Sequence, residues 1–353
     1  MSKTYKWLIA IIVIIIIVAG IWYLGTKPVS VPTSTAPIKV GIITDLTGPA
    51  AYWGESTRVG AEIAKKELEA EGYKIDLVFE DYQLDATKSV SSAQKLVNLD
   101  NVQAIYSEFN PAAIAVESFL RDKQVLHIYD AAPVSPLAMS PNVFKTYIDY
   151  QAGCKLVAQK FKDEQIKKIA TLLAKAEFSE LCLKGAQEVY PDIITESYEL
   201  GDTDLHTQVL KIKNGQAGAI INVGFEGDTL NTFKALKDLK YSAKLGTVDD
   251  TITDQVKAKY ANELKGAWSF GFGTVDSSFE AKLKATALKP LSTEYGAAIA
   301  YTHLKQIVKA FAKCQKDLAC VDREIANSPA DRTIGFRGFK NQIADIQLQL
   351  RQY

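Results

Sequence analysis

The features that mark most enzymes and nucleic-acid-binding proteins are missing from this sequence of 353 residues. Its three histidines are scattered and its four cysteines form no Cys-x2-Cys pair, so no zinc site or other metal site is expected. No P-loop, G-x-G-x-x-G, G-x-S-x-G or H-E-x-x-H motif occurs, and we predict neither an enzyme nor a cofactor. The 41 basic and 41 acidic residues cancel. Without a basic cluster, nucleic acid is not an expected partner.

One long apolar run is present at the start of the chain. Trp7 to Leu24 is eighteen residues without a charge, and Lys3 and Lys6 precede it. Such a run is long enough to span a bilayer as a helix, and positive charge on its short side places that side in the cytoplasm. We therefore predict a single-pass membrane anchor within residues 1–25 and an extracytoplasmic body. A signal peptide cleaved near Ala19-Gly20 is the alternative, although no A-x-A cleavage site follows.

After the anchor, residues 26–37 are rich in Pro, Ser and Thr and show no periodicity. This composition is typical of a semi-extended linker. The folded body is expected to begin near Ile38.

From there, short apolar runs alternate with amphipathic stretches, and no fixed-period repeat is found. Strands separated by helices form parallel sheets. We predict an α/β fold of two Rossmann-like lobes with parallel sheets, joined by a multi-strand hinge. The predicted divisions are lobe 1 at 38–147, lobe 2 at 148–267, and a return to lobe 1 and the hinge, with C-terminal strands, at 268–353.

The four cysteines permit disulfides outside the cytoplasm. Cys314 and Cys320 follow a helical stretch and can close a small loop. Cys154 and Cys182 fall on two successive predicted helices and form the other candidate pair.

Four segments, in order, resemble a known family. They are IKVGIITDLTGPAAYWGESTRVGAEIAKKEL (38–68), IDLVFEDYQLDATKSVSSAQKLV (75–97), TDLHTQVLKIKNGQAGAIINVGF (203–225) and IGFRGFKNQIADIQLQLRQY (334–353). The chain resembles the type I periplasmic solute-binding proteins, the group of the leucine/isoleucine/valine-binding protein of ABC transporters. The resemblance implies a cleft at the carboxyl ends of the strands of both lobes, closing around a solute.

The resemblance also implies ligand-binding positions. Carried over position by position, they are Tyr52 or Trp53 as the loop aromatic, then Asn110, Ala131, Ala132, Phe178 and Phe225, with Asp249 or Asp250 as the acid that holds an ammonium group. The family's threonine near 133 is Pro133 here, which has no hydroxyl and no N–H. Phe178 and Phe225 lack a phenol oxygen, so the usual α-amino-acid clamp is incomplete.

Acidic residues lie at or just after the ends of predicted strands. They are Glu108, Asp130, Asp149, Glu226, Asp249 and Asp250, whereas the nearby bases are Lys145 and Lys175. A cleft richer in acids favours a cationic or amine-bearing solute, because a buried ammonium needs a paired carboxylate. The alternative is that most of these acids are solvated loop residues or helix N-caps.

These features predict a receptor that captures a small polar solute, amino acid or amine-like, and delivers it to an ABC permease. The alternative is a ligand-sensing ectodomain or regulator that works with a signalling protein. Adjacent permease and ATPase genes would favour the first, and an adjacent kinase gene the second.

Overall fold

The computed structural model describes residues 36–131, 141–146, 148–288 and 291–353. The predicted membrane segment Trp7–Leu24, and the linker up to residue 35, lie outside the described residues. Within those four ranges, no helix is long and apolar enough to cross a membrane.

The described strands belong to two sheets. They are β1 (Ile38–Thr44), β2 (Ile75–Asp81), β3 (Ala104–Glu108), β4 (Leu126–Asp130), β5 (Val143–Thr146), β6 (Ile169–Ala174), β7 (Ile194–Tyr198), β8 (Ala219–Val223), β9 (Lys244–Val248), β10 (Trp268–Gly271), β11 (Phe336–Lys340), β12 (Ile343–Ile346) and β13 (Gln349–Gln352). The inner strands are buried along their length, as expected for parallel strands covered by helices on both faces.

The described helices lie between these strands. They are α1 (Ala51–Ala70), α2 (Ala86–Asn98), α3 (Phe109–Asp122), α4 (Tyr150–Asp163), α5 (Glu177–Gln187), α6 (His206–Asn214), α7 (Glu226–Asp238), α8 (Asp254–Lys259), α9 (Ala261–Leu264), α10 (Ser277–Thr286), α11 (Tyr295–Cys314) and α12 (Leu318–Ala326). A short 3₁₀ helix, Asp249–Thr251, follows β9.

Both sheets are doubly wound in the same way. The first has the order β2-β1-β3-β4-β5-β12-β11 and the second the order β7-β6-β8-β9-β10-β13. The pairs from β1 to β5 and from β6 to β10 are parallel. The β11–β12 hairpin and the β13–β10 pair are antiparallel. The predicted two-lobed α/β class is confirmed.

The chain crosses between the lobes three times. The crossings follow β5, β10 and β12, and together they form the hinge. Because β10 pairs in parallel with β9, the return to lobe 1 starts after residue 271, and the predicted boundary at 267 falls one strand too early. The C-terminal strands are divided between the lobes, since β11 and β12 join the first sheet while β13 joins the second.

Helix α11 returns to pack on α1 beside the first sheet. The two helix backbones approach closely at Gly60, where an added Cβ would lie 2.1 Å from the carbonyl oxygen of Ala297. Glycine is needed at this crossing because any side chain would separate the helices. The contact holds α1, and the residues at its N-terminal end, against the hinge side of the lobe.

Both cysteine pairs are bonded in the structure. Cys154 on α4 is joined to Cys182 on α5, with their Cα atoms 5.1 Å apart. Cys314 is joined to Cys320 across the turn between α11 and α12. The first bond ties the helix that enters lobe 2 to its neighbour in that lobe.

Candidate functional site

The strand order locates a cleft between the lobes. In doubly wound sheets, ligands bind where the chain winds in opposite directions from two neighbouring strands, outside their carboxyl ends. Those switch points lie between β1 and β3 in lobe 1, and between β6 and β8 in lobe 2. The four segments that leave these strands contain Trp53, Phe109, Phe178 and Phe225.

These four aromatic side chains meet across the interlobe boundary. The ring centroid of Phe109 lies 6.0 Å from that of Trp53 in its own lobe and 5.4 Å from that of Phe225 in the other lobe. Phe178 lies 6.2 Å from Phe225 and 5.2 Å from Tyr150, which begins α4. Edge and tilted contacts at these separations are favourable for aromatic rings. The lobes therefore touch through one continuous aromatic cluster.

Phe109 holds an unusual backbone conformation at the centre of this cluster. Its φ is +63°, in the left-handed region, although it is not glycine. Such a residue costs on the order of 1–3 kcal/mol and concentrates at ligand sites and switch regions. The strain places its ring against the opposite lobe.

Two tyrosines bring hydroxyl groups to the same place. The Tyr52 hydroxyl is buried and has no hydrogen-bond partner among the described residues. Burial raises its pKa well above the usual value, and Asp250, Tyr150 and Glu226 add to the effect. Burial also raises the pKa of Tyr150, and Asp250 and Asp130 contribute. Both phenols thus stay neutral and can donate to a ligand.

Two carboxyl groups from opposite lobes interact electrostatically with these phenols, Asp250 with both and Asp130 with Tyr150. Asp130 ends β4, and Asp250 follows β9. Burial raises the pKa of Asp130 well above its usual value, and Glu108 and Asp250 add to it. Burial, reinforced by the neighbouring Asp249, raises the pKa of Asp250 to about 7. Asp250 Oδ1 is buried and unpaired within the described part of the chain, so it is available to a ligand.

Asp249 has a different environment from its neighbour. It accepts hydrogen bonds from Ser269 Oγ at 2.6 Å, Tyr295 Oη at 2.6 Å and Tyr353 Oη at 2.7 Å, and it pairs with Arg351. Tyr295 lies on α11 of lobe 1, whereas the other donors belong to β10 and the C-terminal strand of lobe 2. Its oxygens are occupied by protein donors, so it joins hinge segments.

The remaining acids named from the sequence lie outside the aromatic cluster or are bonded within the protein. Glu108 accepts from the hydroxyls of Thr44 and Thr57 beneath the cleft floor, and burial raises its pKa to about 7. Asp149 caps α4 by accepting from the Ala152 N–H. Glu226 accepts from the Thr253 hydroxyl at 2.5 Å.

The two bases lie away from the facing carboxyls. Burial lowers the pKa of Lys145, with Glu117 as the acid that opposes this. Lys175 is paired with Glu199 at the surface. The charge near Asp130 and Asp250 is therefore dominated by acids.

The other carried-over positions are distributed as follows. Asn110 lies at the start of α3 beside Glu177 of the opposite lobe. Ala131 is buried after β4 and donates its N–H to the carbonyl of Thr146. Ala132 is outside the described residues. Tyr150 was missed from the sequence, and its position directly after a lobe crossing is the signal that identifies it.

Two parallel α/β lobes that face each other across a buried cleft define the two-lobed class of binding proteins. The family model described as Periplasmic binding protein matches residues 37–344. The chain belongs to this family, which confirms the resemblance found in the sequence.

Solved structures share the fold over nearly the whole described body. The branched-chain amino acid transporter substrate binding protein LivJ of Streptococcus pneumoniae, in complex with isoleucine, has a TM-score of 0.80 at 18% identity, covering 90% of this chain and 96% of that one. A solute binding protein of an ABC transporter from R. palustris, in complex with 4-hydroxybenzoate, has a TM-score of 0.79 at 21% identity, covering 90% and 93%. At these identities the likeness concerns the fold.

Curated relatives match over shorter stretches. The Leu/Ile/Val-binding protein BraC3 of Rhizobium johnstonii is 28% identical over 231 residues, 61% of this chain and 62% of the relative. The Leu/Ile/Val-binding protein homolog 7 of Brucella suis is 23% identical over 224 residues, 56% of this chain and 54% of the relative. The chain thus spans between half and two thirds of the length of these relatives.

Proposed function

We propose that this protein is an extracytoplasmic receptor that closes its two lobes around a small amine-bearing solute and presents it to an ABC permease. The observation that carries the proposal is a pair of carboxyls from opposite lobes beside neutral phenols: Asp130 is buried, Asp250 Oδ1 is buried and unpaired among the described residues, and both interact electrostatically with Tyr150. The retained anchor at 7–24 belongs to the same proposal, because it would keep the receptor beside its permease.

The chemistry of the cleft supports an ammonium group. Burial raises the pKa of Asp130, and repulsion from Glu108 and Asp250 adds to it. A cation placed between Asp130 and Asp250 would offset both effects. The aromatic faces of Trp53, Phe178 and Phe225 would add cation–π attraction and cover the apolar part of the solute. An amino acid offers the same ammonium group, as does isoleucine in the similar fold of LivJ.

A purely anionic solute fits this cleft less well. A buried carboxylate needs a basic partner or several N–H donors. Lys145 interacts electrostatically with Glu117, Lys175 is paired with Glu199, and two acids occupy the strand ends. The acid-lined cleft therefore does not favour hydroxybenzoate, although a protein of similar fold binds it.

The proposal is tested by calorimetry of the full-length protein in mild detergent. The ligands titrated are amines, amino acids and aromatic acids. The proteins are wild type, Asp250→Asn and the control Asp192→Asn, in which the replaced side chain lies on the exposed surface of lobe 2. We expect tightest binding of an amine-bearing solute and a loss of at least about tenfold in Asp250→Asn, corresponding to about 1.4 kcal/mol. Tight binding of an anion that survives Asp250→Asn would refute the proposal.

A further inference from the structure

A second cavity opens next to the aromatic cleft, on the side of the hinge. Its volume is about 340 Å³, and it is bounded by the 3₁₀ turn after β9, the segment leading into α10, and the N-terminal end of α11. It is lined by five acids and two bases. Asp250 is part of this lining, and the same residue contributes to the raised pKa of Tyr52 and Tyr150 in the aromatic cleft. The two spaces therefore share one acidic wall.

Both bases of the cavity are already paired with acids of the cavity. Lys257 lies 3.3 Å from Asp254, and Arg351 is paired with Asp249. The acids that remain are Asp250 and two glutamates, Glu280 of α10 and Glu294 at the N-terminal end of α11.

The glutamates lie close enough to interact. Burial raises the pKa of Glu294, and Glu280 adds to it, whereas Lys284 and Lys257 oppose the shift. An excess of acid in a half-enclosed space favours a positively charged occupant.

An acidic cluster alone does not establish a ligand site, and Asp250 supplies the independent observation. Its Oδ1 is buried and finds no hydrogen-bond partner in the described ranges. A buried carboxyl oxygen without a donor costs free energy unless a ligand satisfies it. Asp250 borders both the aromatic cleft and the hinge-side cavity. A ligand group that binds Asp250 Oδ1 from the cleft would therefore lie next to the cavity.

We propose that the solute is elongated and carries a second cationic group, so that one ammonium pairs with Asp250 and Asp130 while the other extends into the hinge-side cavity toward Glu280 and Glu294. This inference rests on the proposed function and specifies its solute as a diamine or a longer polyamine. The cavity volume leaves room for an alkyl chain with a terminal amine, and such a ligand would contact both lobes and the hinge at once.

The test compares a monoamine with diamines on the full-length protein. The ligands are hexylamine, hexamethylenediamine and shorter and longer alkanediamines, titrated by calorimetry. The proteins are wild type, Glu294→Gln, Glu280→Gln, Asp250→Asn and the surface control Glu69→Gln. We expect one diamine length to bind at least roughly tenfold more tightly than the matching monoamine, the size of one additional charged contact. Glu294→Gln and Glu280→Gln should each remove most of that gain and change monoamine affinity less than about twofold.

The outcomes separate the two proposals. Equal affinity for monoamine and diamine, with both weakened by Asp250→Asn, overturns the extended site and leaves the amine receptor standing. Absence of binding by any amine overturns both. Having two glutamate variants on different helices, α10 and α11, ensures that a folding defect in one does not decide the result.

Discussion

Two neighbouring aspartates are expected to respond in opposite ways to the same substitution. Asp249 accepts from three hydroxyls and pairs with Arg351, whereas Asp250 Oδ1 has no partner among the residues described. Replacing each with asparagine removes one negative charge and changes the side-chain volume little. The pair is therefore a matched test of hinge contact against ligand contact.

Asp249→Asn leaves the guanidinium of Arg351 without its carboxylate and puts an amide donor beside hydroxyl donors. Breaking a buried ion pair by removing one partner costs about 3–5 kcal/mol. Because the Arg351 side chain is 35% exposed, water recovers part of this, and we expect a loss of about 2–3 kcal/mol in the free energy of unfolding. For a folded body of this size, that corresponds to a melting temperature roughly 3–5 °C lower.

Asp250→Asn should leave the unliganded protein at least as stable as wild type near pH 8. The pKa of Asp250 is raised from 3.8 to about 7 in the folded state, so the folded protein resists ionising it. As pH rises from about 4 to about 7, Asp250 therefore lowers the free energy of unfolding of wild type. The loss is about 1.4 kcal/mol for each unit by which its folded-state pKa exceeds its unfolded-state pKa. The asparagine variant escapes that loss, and its advantage should disappear toward pH 4.

Thermal unfolding of the three full-length proteins between pH 4 and pH 8, followed by circular dichroism, checks both expectations. Amine titration on the same samples should show affinity lowered at least about tenfold in Asp250→Asn and only indirectly, by less, in Asp249→Asn. Equal destabilisation by the two substitutions, or a destabilised Asp250→Asn with intact binding, would refute the division of roles between the neighbours.

Three further expectations follow from the same site and from the first disulfide. Phe225→Ala removes the ring that contacts Phe109 at 5.4 Å across the lobes, so ligand affinity should fall about tenfold or more. With ligand present, small-angle scattering should still show the larger radius of gyration of the open form. An unchanged affinity contradicts this expectation. Replacing Cys154 and Cys182 with alanine opens a loop of 28 residues and should cost about 3–4 kcal/mol on the chain-entropy model. In a reductant, wild type should lose more thermal stability than the variant, which keeps only the Cys314–Cys320 bond. Amine affinity should rise as pH increases through about 7, because Asp250 must lose its proton to pair with a cation. Calorimetry in buffers of different ionisation enthalpy should detect the proton that is released on binding. An affinity that does not depend on pH contradicts this pairing.

The inner strands could be predicted because burial on both faces leaves a continuous apolar run. The apolar run IKVGIIT, at 38–44, coincides with the inner strand β1. The misses are strands without that signal. β5 is four residues long and contains Lys145, and β13 has the sequence QLRQ. Both depend on partners far along the chain for their place in a sheet, which no local pattern encodes.

The aromatic positions were accessible to sequence reasoning for a related reason. Trp53, Phe178 and Phe225 follow strands that were found, and strand ends in parallel sheets converge on one edge. The different roles of Asp249 and Asp250 could not be predicted in this way, because the residues that donate hydrogen bonds to Asp249 come from distant parts of the chain. Tyr295 lies 46 residues away and Arg351 lies 102 residues away.

On the proposed function, the cleft would couple ligand charge to lobe closure through desolvation. Closing the lobes without a ligand brings Asp130 and Asp250, one from each lobe, into a buried space. Burial raises the pKa of both carboxyls there, and Asp250 adds to the shift of Asp130. A ligand shifts an equilibrium only by its differential affinity for the two states. A cation gains both carboxylates only in the closed state, so it favours closure, whereas an anion gains repulsion there. The same arrangement that destabilises the empty closed cleft therefore selects the sign of the solute that can close it.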